Sequence, residues 1–154
     1  MEIVNKLAIS NFYHMHRFTP QNITELKDNE IFVFGSNTMG KNIGGAARVA
    51  QEKYGAEWGN AVGLKGQSYA IPTLRFSNTE LGYSDKLPLE EIGNHIKDYV
   101  EFAWDHQEYI FLTTLIGCGI AGFTIEEIGN LFVGLNLPDN LILPVEFEKI
   151  IIAK

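Results

Sequence analysis

The chain has 154 residues, with 12 basic against 19 acidic side chains and a net charge of −7. At 45% hydrophobic and 20% charged it reads as one folded domain with its own core, which excludes a disordered protein. The acidic balance argues against non-specific nucleic-acid binding, which rests on clustered Lys and Arg, but leaves room for a small anion held by backbone N–H groups.

A single cysteine, Cys118, excludes a disulfide within the chain. The opening "MEIVNKLAIS" lacks a basic region followed by a long apolar stretch, and no apolar run approaches the roughly 20 residues of a membrane helix. A cytoplasmic protein without a membrane partner is therefore expected.

Residues 2–9 read as an edge strand. In "TPQNITEL" (19–26), Thr19 before Pro20 predicts a short helical turn. "EIFVFGS" (30–36) is a short apolar run with the character of a buried strand. After the loop "NTMGKNIGG", Ala46, Val49, Ala50 and Tyr54 recur at helical spacing, and Gly55 suits the position after the helix end. "SYAIPT" (68–73) reads as a strand with Pro72 near its end. Residues 88–104 form the clearest helix: Pro88 suits the first turn, and Ile92, Ile96, Tyr99, Val100 and Ala103 share one face. "YIFLTTLIG" (109–117) is the strongest strand. Thr124 with Glu127 makes a capping box for a helix over 125–135. "NLILP" (140–144) is a last strand before a short helical tail.

This alternation predicts a three-layer α/β/α domain, 1–154, with a mostly parallel mixed sheet. Ligands of such sheets bind beyond the carboxyl ends of the strands, and two glycine-rich loops, 35–45 and 117–123, lie at such ends. The second, "GCGIAGF", offers closely spaced N–H groups before a helix start, and reads either as a phosphate cradle or as a tight strand-to-helix connection. In the first, Asn37 can bond a ligand hydroxyl or fix its own turn, and Lys41 can neutralise a phosphate or stand solvated. Gly44 and Gly45 would let the helix start approach a ligand.

The pair "FVFGSN…IGGAARVAQEKYG" and "TTLIGCGIAGFTIEEI" resembles the two ligand loops of the macrodomain family, over about residues 20–145. "IGCG" before a capped helix is closest to the branch that removes ADP-ribose from acidic side chains. The chain is also similar to an uncharacterised group of bacterial and phage proteins carrying "FVFGSN", "GQSYAIPT" and "IGCGIAGF" together. The macrodomain resemblance implies binding of ADP-ribose or a related nucleotide diphosphate, with no cofactor. Gly117, Cys118, Gly119, Ile120, Ala121, Gly122 and Phe123 would wrap the diphosphate and distal ribose, with Phe123 stacking on the ligand. Asn37, Gly44 and Gly45 would face the distal ribose. Asn22 stands where the family has an aspartate for the adenine amino group.

The resemblance departs from both catalytic patterns. "GGAARVA" has Ala47 or Arg48 where one class of hydrolases has an aspartate. Ala121 replaces the acid of the acidic-side-chain branch, and Leu74, with Arg75 beside it, replaces its lysine. Hydrolysis of an ADP-ribosyl bond would therefore need other groups, of which Asn37, Lys41 and Arg75 are the candidates. A third reading is a protein-interaction module with a vestigial pocket. "HMH" at 14–16 puts two imidazoles on one side of a strand with nothing to complete a metal site. Cys118 reads either as a thiol activated by the helix start or as a small side chain packed beneath the loop.

Overall fold

The computed structural model describes residues 17–76 and 84–154. The expected strand at 2–9 and the histidine pair His14 and His16 lie outside the described residues.

Among the described residues, six strands form one mixed sheet: β1 (Glu30–Asn37), β2 (Gly63–Lys65), β3 (Ser68–Phe76), β4 (Ser84–Lys86), β5 (Ile110–Thr113) and β6 (Leu141–Ile142). Their order is β2-β3-β1-β5-β6, with β4 also on β3. β1 is central. It runs parallel to β3 on one side and to β5 on the other, and β6 continues parallel to β5. β2 and β4 are antiparallel additions to β3.

The helices are α1 (Gly45–Lys53), α2 (Leu89–Asp105), α3 (Ile125–Gly129), which tightens into a 3₁₀ turn at Asn130–Phe132, and α4 (Val145–Ala153). Alternation along β1 divides the core between two faces. Phe32 and Phe34 meet Ala50 and Tyr54 of the α1 side. Ile31 and Val33 join a larger cluster with Ile92, Ile96 and Tyr99 of α2, Ile128 of α3 and Phe147 of α4. The expected three layers are present, with α1 alone covering one face among the described helices. The five α2 residues expected on one apolar face are all buried.

Several expected boundaries move. Residues 19–26 form no helical turn. Thr19 instead ties the chain to the sheet edge, its amide donating to the Leu143 carbonyl at 3.0 Å and its hydroxyl to that of Ile142 at 3.2 Å. β3 runs three residues beyond Thr73, which leaves Pro72 inside an inner strand. It is tolerated there because β2 pairing stops at Ala70 and β4 pairing begins at Leu74, while the β1 register slips after Ser36. β5 ends at Thr113 rather than Gly117; the Thr114 amide donates the last ladder bond, to the Val33 carbonyl, which also accepts from the Thr114 hydroxyl.

The Thr124–Glu127 capping box forms as expected, each side chain bonding the other's amide. The Thr124 amide holds the Glu127 carboxyl below its ordinary pKa. The helix stops at Gly129 rather than 135, where a Cβ would stand 3.0 Å from Ile150 of α4.

Beneath the sheet's carboxyl edge, the Tyr99 hydroxyl and Thr113 Oγ1 share a buried 2.6 Å hydrogen bond. Tyr99→Phe leaves the Thr113 hydroxyl without its partner and should cost about 1–2 kcal/mol, read as a lower urea midpoint at unchanged slope. Tyr99→Phe combined with Thr113→Val should recover part of that loss, since neither polar group then remains. A double variant less stable than the sum of the singles would contradict this account.

Candidate functional site

β1 and β5 are parallel neighbours, paired from Glu30↔Ile110 to Val33↔Thr113, so their carboxyl ends emerge side by side. The chain leaving β1 leads to α1 on one face, and the chain leaving β5 leads to α3 on the other. Divergence of this kind opens a crevice at the strand ends. A chamber of about 370 Å³ fills it, lined by both expected loops: Gly35–Asn37, Lys41 and Ile43–Ala47 from one, Thr114–Gly117 and Gly119–Ala121 from the other, with Thr73, Leu74 and Phe76 of β3. The two loops come close at the rim, where a Cβ on Gly45 would stand 3.4 Å from Ile120 Cδ1. Ile120 itself is 74% exposed.

The chamber's polar side chains are committed to the protein's own backbone. Asn37 Nδ2 donates to the Lys41 carbonyl at 2.8 Å, and its Oδ1 accepts from the amides of Met39 and Lys41. Asn37 thus braces its own turn. Ser36 donates to the Ala61 carbonyl, Thr73 to that of Ser36 and Thr114 to that of Val33. Lys41 lies over the Phe76 ring, 4.5 Å from its centroid, and is the one ionisable side chain lining this chamber among the described residues.

Backbone donors remain. Gly44, the N-cap of α1, makes no side-chain capping bond, so the amides of Gly45, Ala46 and Ala47 have no acceptor among the described residues. In the second loop, Cys118, Gly122 and Phe123 spend their amides on the carbonyls of Leu115, Gly119 and Gly117, whereas those of Gly119, Ile120 and Ala121 have no acceptor among the described residues. The helix start that serves the crevice is thus that of α1. The start of α3 is occupied by its own capping box and lines neither chamber.

Four expected site residues stand elsewhere. Phe123 is buried in the larger core cluster beside Gly117, with Lys86 Nζ 4.9 Å from its ring centroid, and does not line the chamber. Gly122 makes the positive-φ turn that lets Phe123 fold inward, and its carbonyl accepts from Lys86 at 3.0 Å. Arg75, between the lining residues Leu74 and Phe76, points the opposite way on the strand and lies 3.8 Å from Glu91 of α2. Cys118 is half-buried against the core, outside the chamber lining. Burial first, then the charges of Glu127 and Glu146, push its thiol up to about 11, opposite to activation by a helix start.

A second chamber of about 730 Å³ shares Ala46, Thr114 and Leu115 with the first. Asn22 lines it, in an exposed bend rather than a helical turn. Ile23, Phe32, Val49 and Pro144 supply apolar walls, and Glu146 of α4 lines it too. Glu146 was not singled out from the sequence. Its signal was available: "LPVEF" is a third strand end on the same sheet edge, next to β5.

No family model matches the chain, and no curated relative matches it. A solved structure described as that of a protein of unknown function from Bacteroides thetaiotaomicron is similar over 71% of this chain and 81% of that one, at 14% identity and a TM-score of 0.49. No helix among the described residues is long and apolar enough to cross a membrane.

The raised thiol makes a kinetic prediction. Iodoacetamide labelling of Cys118 should be slow near neutrality and keep rising about tenfold per pH unit up to about pH 10, since only the thiolate reacts. A rate that levels off by pH 9 would contradict the packing described.

Proposed function

We propose that this chain binds ADP-ribose or a related nucleotide diphosphate along the crevice between β1 and β5. The observation that carries this reading is the pair of unsatisfied amide sets, Gly45–Ala47 and Gly119–Ala121, lining one chamber. Phosphate oxygens are acceptors, and the positive end of the α1 dipole lies among these donors. Backbone donors suit a protein of net charge −7, in which a basic side-chain cluster is not needed to hold an anion. The adjoining chamber offers the apolar walls that a nucleobase requires. The resemblance of both loops to those of macrodomains supplies the ligand class.

The same geometry favours holding over cutting. General acid–base chemistry needs a titratable group within hydrogen-bond reach of the reacting bond. Lys41 is the ionisable side chain of the phosphate chamber among the described residues, and it is stacked on Phe76. The Asn37 amide is engaged in its loop, and Arg75 faces α2.

Isothermal titration with ADP-ribose should give saturable heat and a raised thermal midpoint. Gly119 has open space where a Cβ would stand, so Gly119→Ala should bind like the natural chain. Gly119→Glu should weaken binding at least about tenfold, by charge and bulk at the diphosphate, with the melting temperature of the free protein unchanged. Absence of heat and of thermal shift at millimolar ADP-ribose would end the proposal for that ligand.

A further inference from the structure

We infer that the group following the diphosphate, at the β3 end of the smaller chamber, is apolar, so that the ligand class is a diphosphate ester of an apolar alcohol rather than of a sugar. This rests on the reading above only for the amide cradle that holds the diphosphate.

The strand order β3-β1-β5-β6 sets out the crevice from end to end. The larger chamber adjoins the smaller one at Thr114 and Leu115, beside β5, and runs on to Pro144 after β6. The far end of the smaller chamber therefore lies at β3, where Leu74 and Phe76 line it. A group carried on the outer side of the diphosphate comes to rest there.

A sugar at that end needs partners for several hydroxyl groups, each both donor and acceptor. Hydrogen bonds within the protein already engage the polar groups of this wall. The Leu74 carbonyl accepts from the Thr38 amide at 2.9 Å, and the Phe76 amide donates to the Thr38 hydroxyl at 3.1 Å. The Lys41 carbonyl accepts from the Ile43 amide and from Asn37 Nδ2, and the Asn37 carbonyl accepts from the Gly40 amide. The Thr73 carbonyl accepts from the Leu87 amide. The side chains that line this end are hydrocarbon: Ile43, Leu74, Phe76 and, from the opposite loop, Ile120. The Lys41 ammonium over the Phe76 ring suits the charge of a diphosphate better than an uncharged sugar.

The exposure of the two isoleucines is a second, independent observation. Ile43 is 60% exposed and Ile120 still more so, yet both line the chamber. Ile120 reaches toward the loop that carries Ile43, its Cδ1 standing 3.5 Å from where a Cβ on Gly44 would be. Two large aliphatic side chains left in water at the mouth of an anion site gain nothing from phosphate. They gain from hydrocarbon on the ligand, which removes their surface from water.

Three diphosphate monoesters of like charge, titrated into the full chain, test this: methyl diphosphate, 3-methylbutyl diphosphate and ribose 5-diphosphate. The 3-methylbutyl ester should bind at least about tenfold tighter than the methyl ester, since each buried methylene is worth about fourfold. Ribose 5-diphosphate should bind within about threefold of the methyl ester. Ile43→Asn and Ile120→Asn exchange exposed side chains that the fold can spare, and thermal midpoints of the free variants check that both fold. Each should cut the alkyl preference to within about threefold. Equal binding of the methyl and 3-methylbutyl esters, a ribose ester that binds tighter than the 3-methylbutyl one, or full alkyl preference retained in both variants would overturn the inference. If methyl diphosphate binds without any alkyl preference, the inference falls and the anion cradle stands. If the 3-methylbutyl ester binds tightly while ADP-ribose gives no heat, the ADP-ribose reading falls and the inference stands. Failure of all three esters and of ADP-ribose ends both.

Discussion

The crevice exists because β1 and β5 pair side by side in parallel while their following segments leave to opposite faces of the sheet. Parallel neighbours bring two carboxyl ends to one edge, and divergence keeps their loops from packing on each other. The backbones still come close at the base of the opening, where a Cβ on Gly35 would lie 3.2 Å from the Gly117 amide nitrogen. Two hydrogen bonds from Thr114, by its amide and its hydroxyl, to the Val33 carbonyl mark the last rung of β5.

The two loops then divide their polar groups in a consistent way. Side-chain hydroxyls and the Asn37 amide are consumed in bracing the loops. What faces the opening is backbone. Gly117, with φ +75°, and Gly122, with φ +77°, make the turns between which Gly119 and Ile120 stand off from the core while Ala121 packs into it. A Cβ at Gly117 would meet Ile128 at 3.0 Å, so this turn is also packed from beneath. An unsatisfied N–H in an open cleft is solvated at little cost, and an anion that replaces the water gains several charge-assisted bonds at once.

Much of this was legible in the sequence, for identifiable reasons. The amphipathic period of 88–104 and the unbroken apolar run "IFVF" report burial directly, and burial is what the fold satisfies. The capping box at Thr124 is a local motif and formed as written. What failed depended on distant partners. Thr19 looks like a cap until the Leu143 carbonyl is beside it, and Thr114 looks like strand until Val33 is. Phe123 follows glycines at a ligand loop and reads as a ligand contact, yet the positive-φ turn at Gly122 folds it into the core. Both loops lead into a helix start that the sequence offers to a ligand, and the more conspicuous of the two is the capped start of α3. The cap is the very feature that removes it, and the uncapped Gly44 start serves instead. Glu146 is hard to place from sequence because its helix, α4, follows a two-residue strand, β6, whose neighbour in the sheet, β5, lies far earlier in the chain.

The central claim is that the amides of Gly45–Ala47 and Gly119–Ala121 together form one anion site. Titrating the ¹⁵N-labelled chain with inorganic pyrophosphate and following its amide resonances tests it most directly. The account predicts that these two groups of resonances shift together along a single saturable curve, more than those of Thr124 to Glu127 at the capped start of α3. Shifts concentrated at α3, or shifts in only one of the two loops, would contradict it.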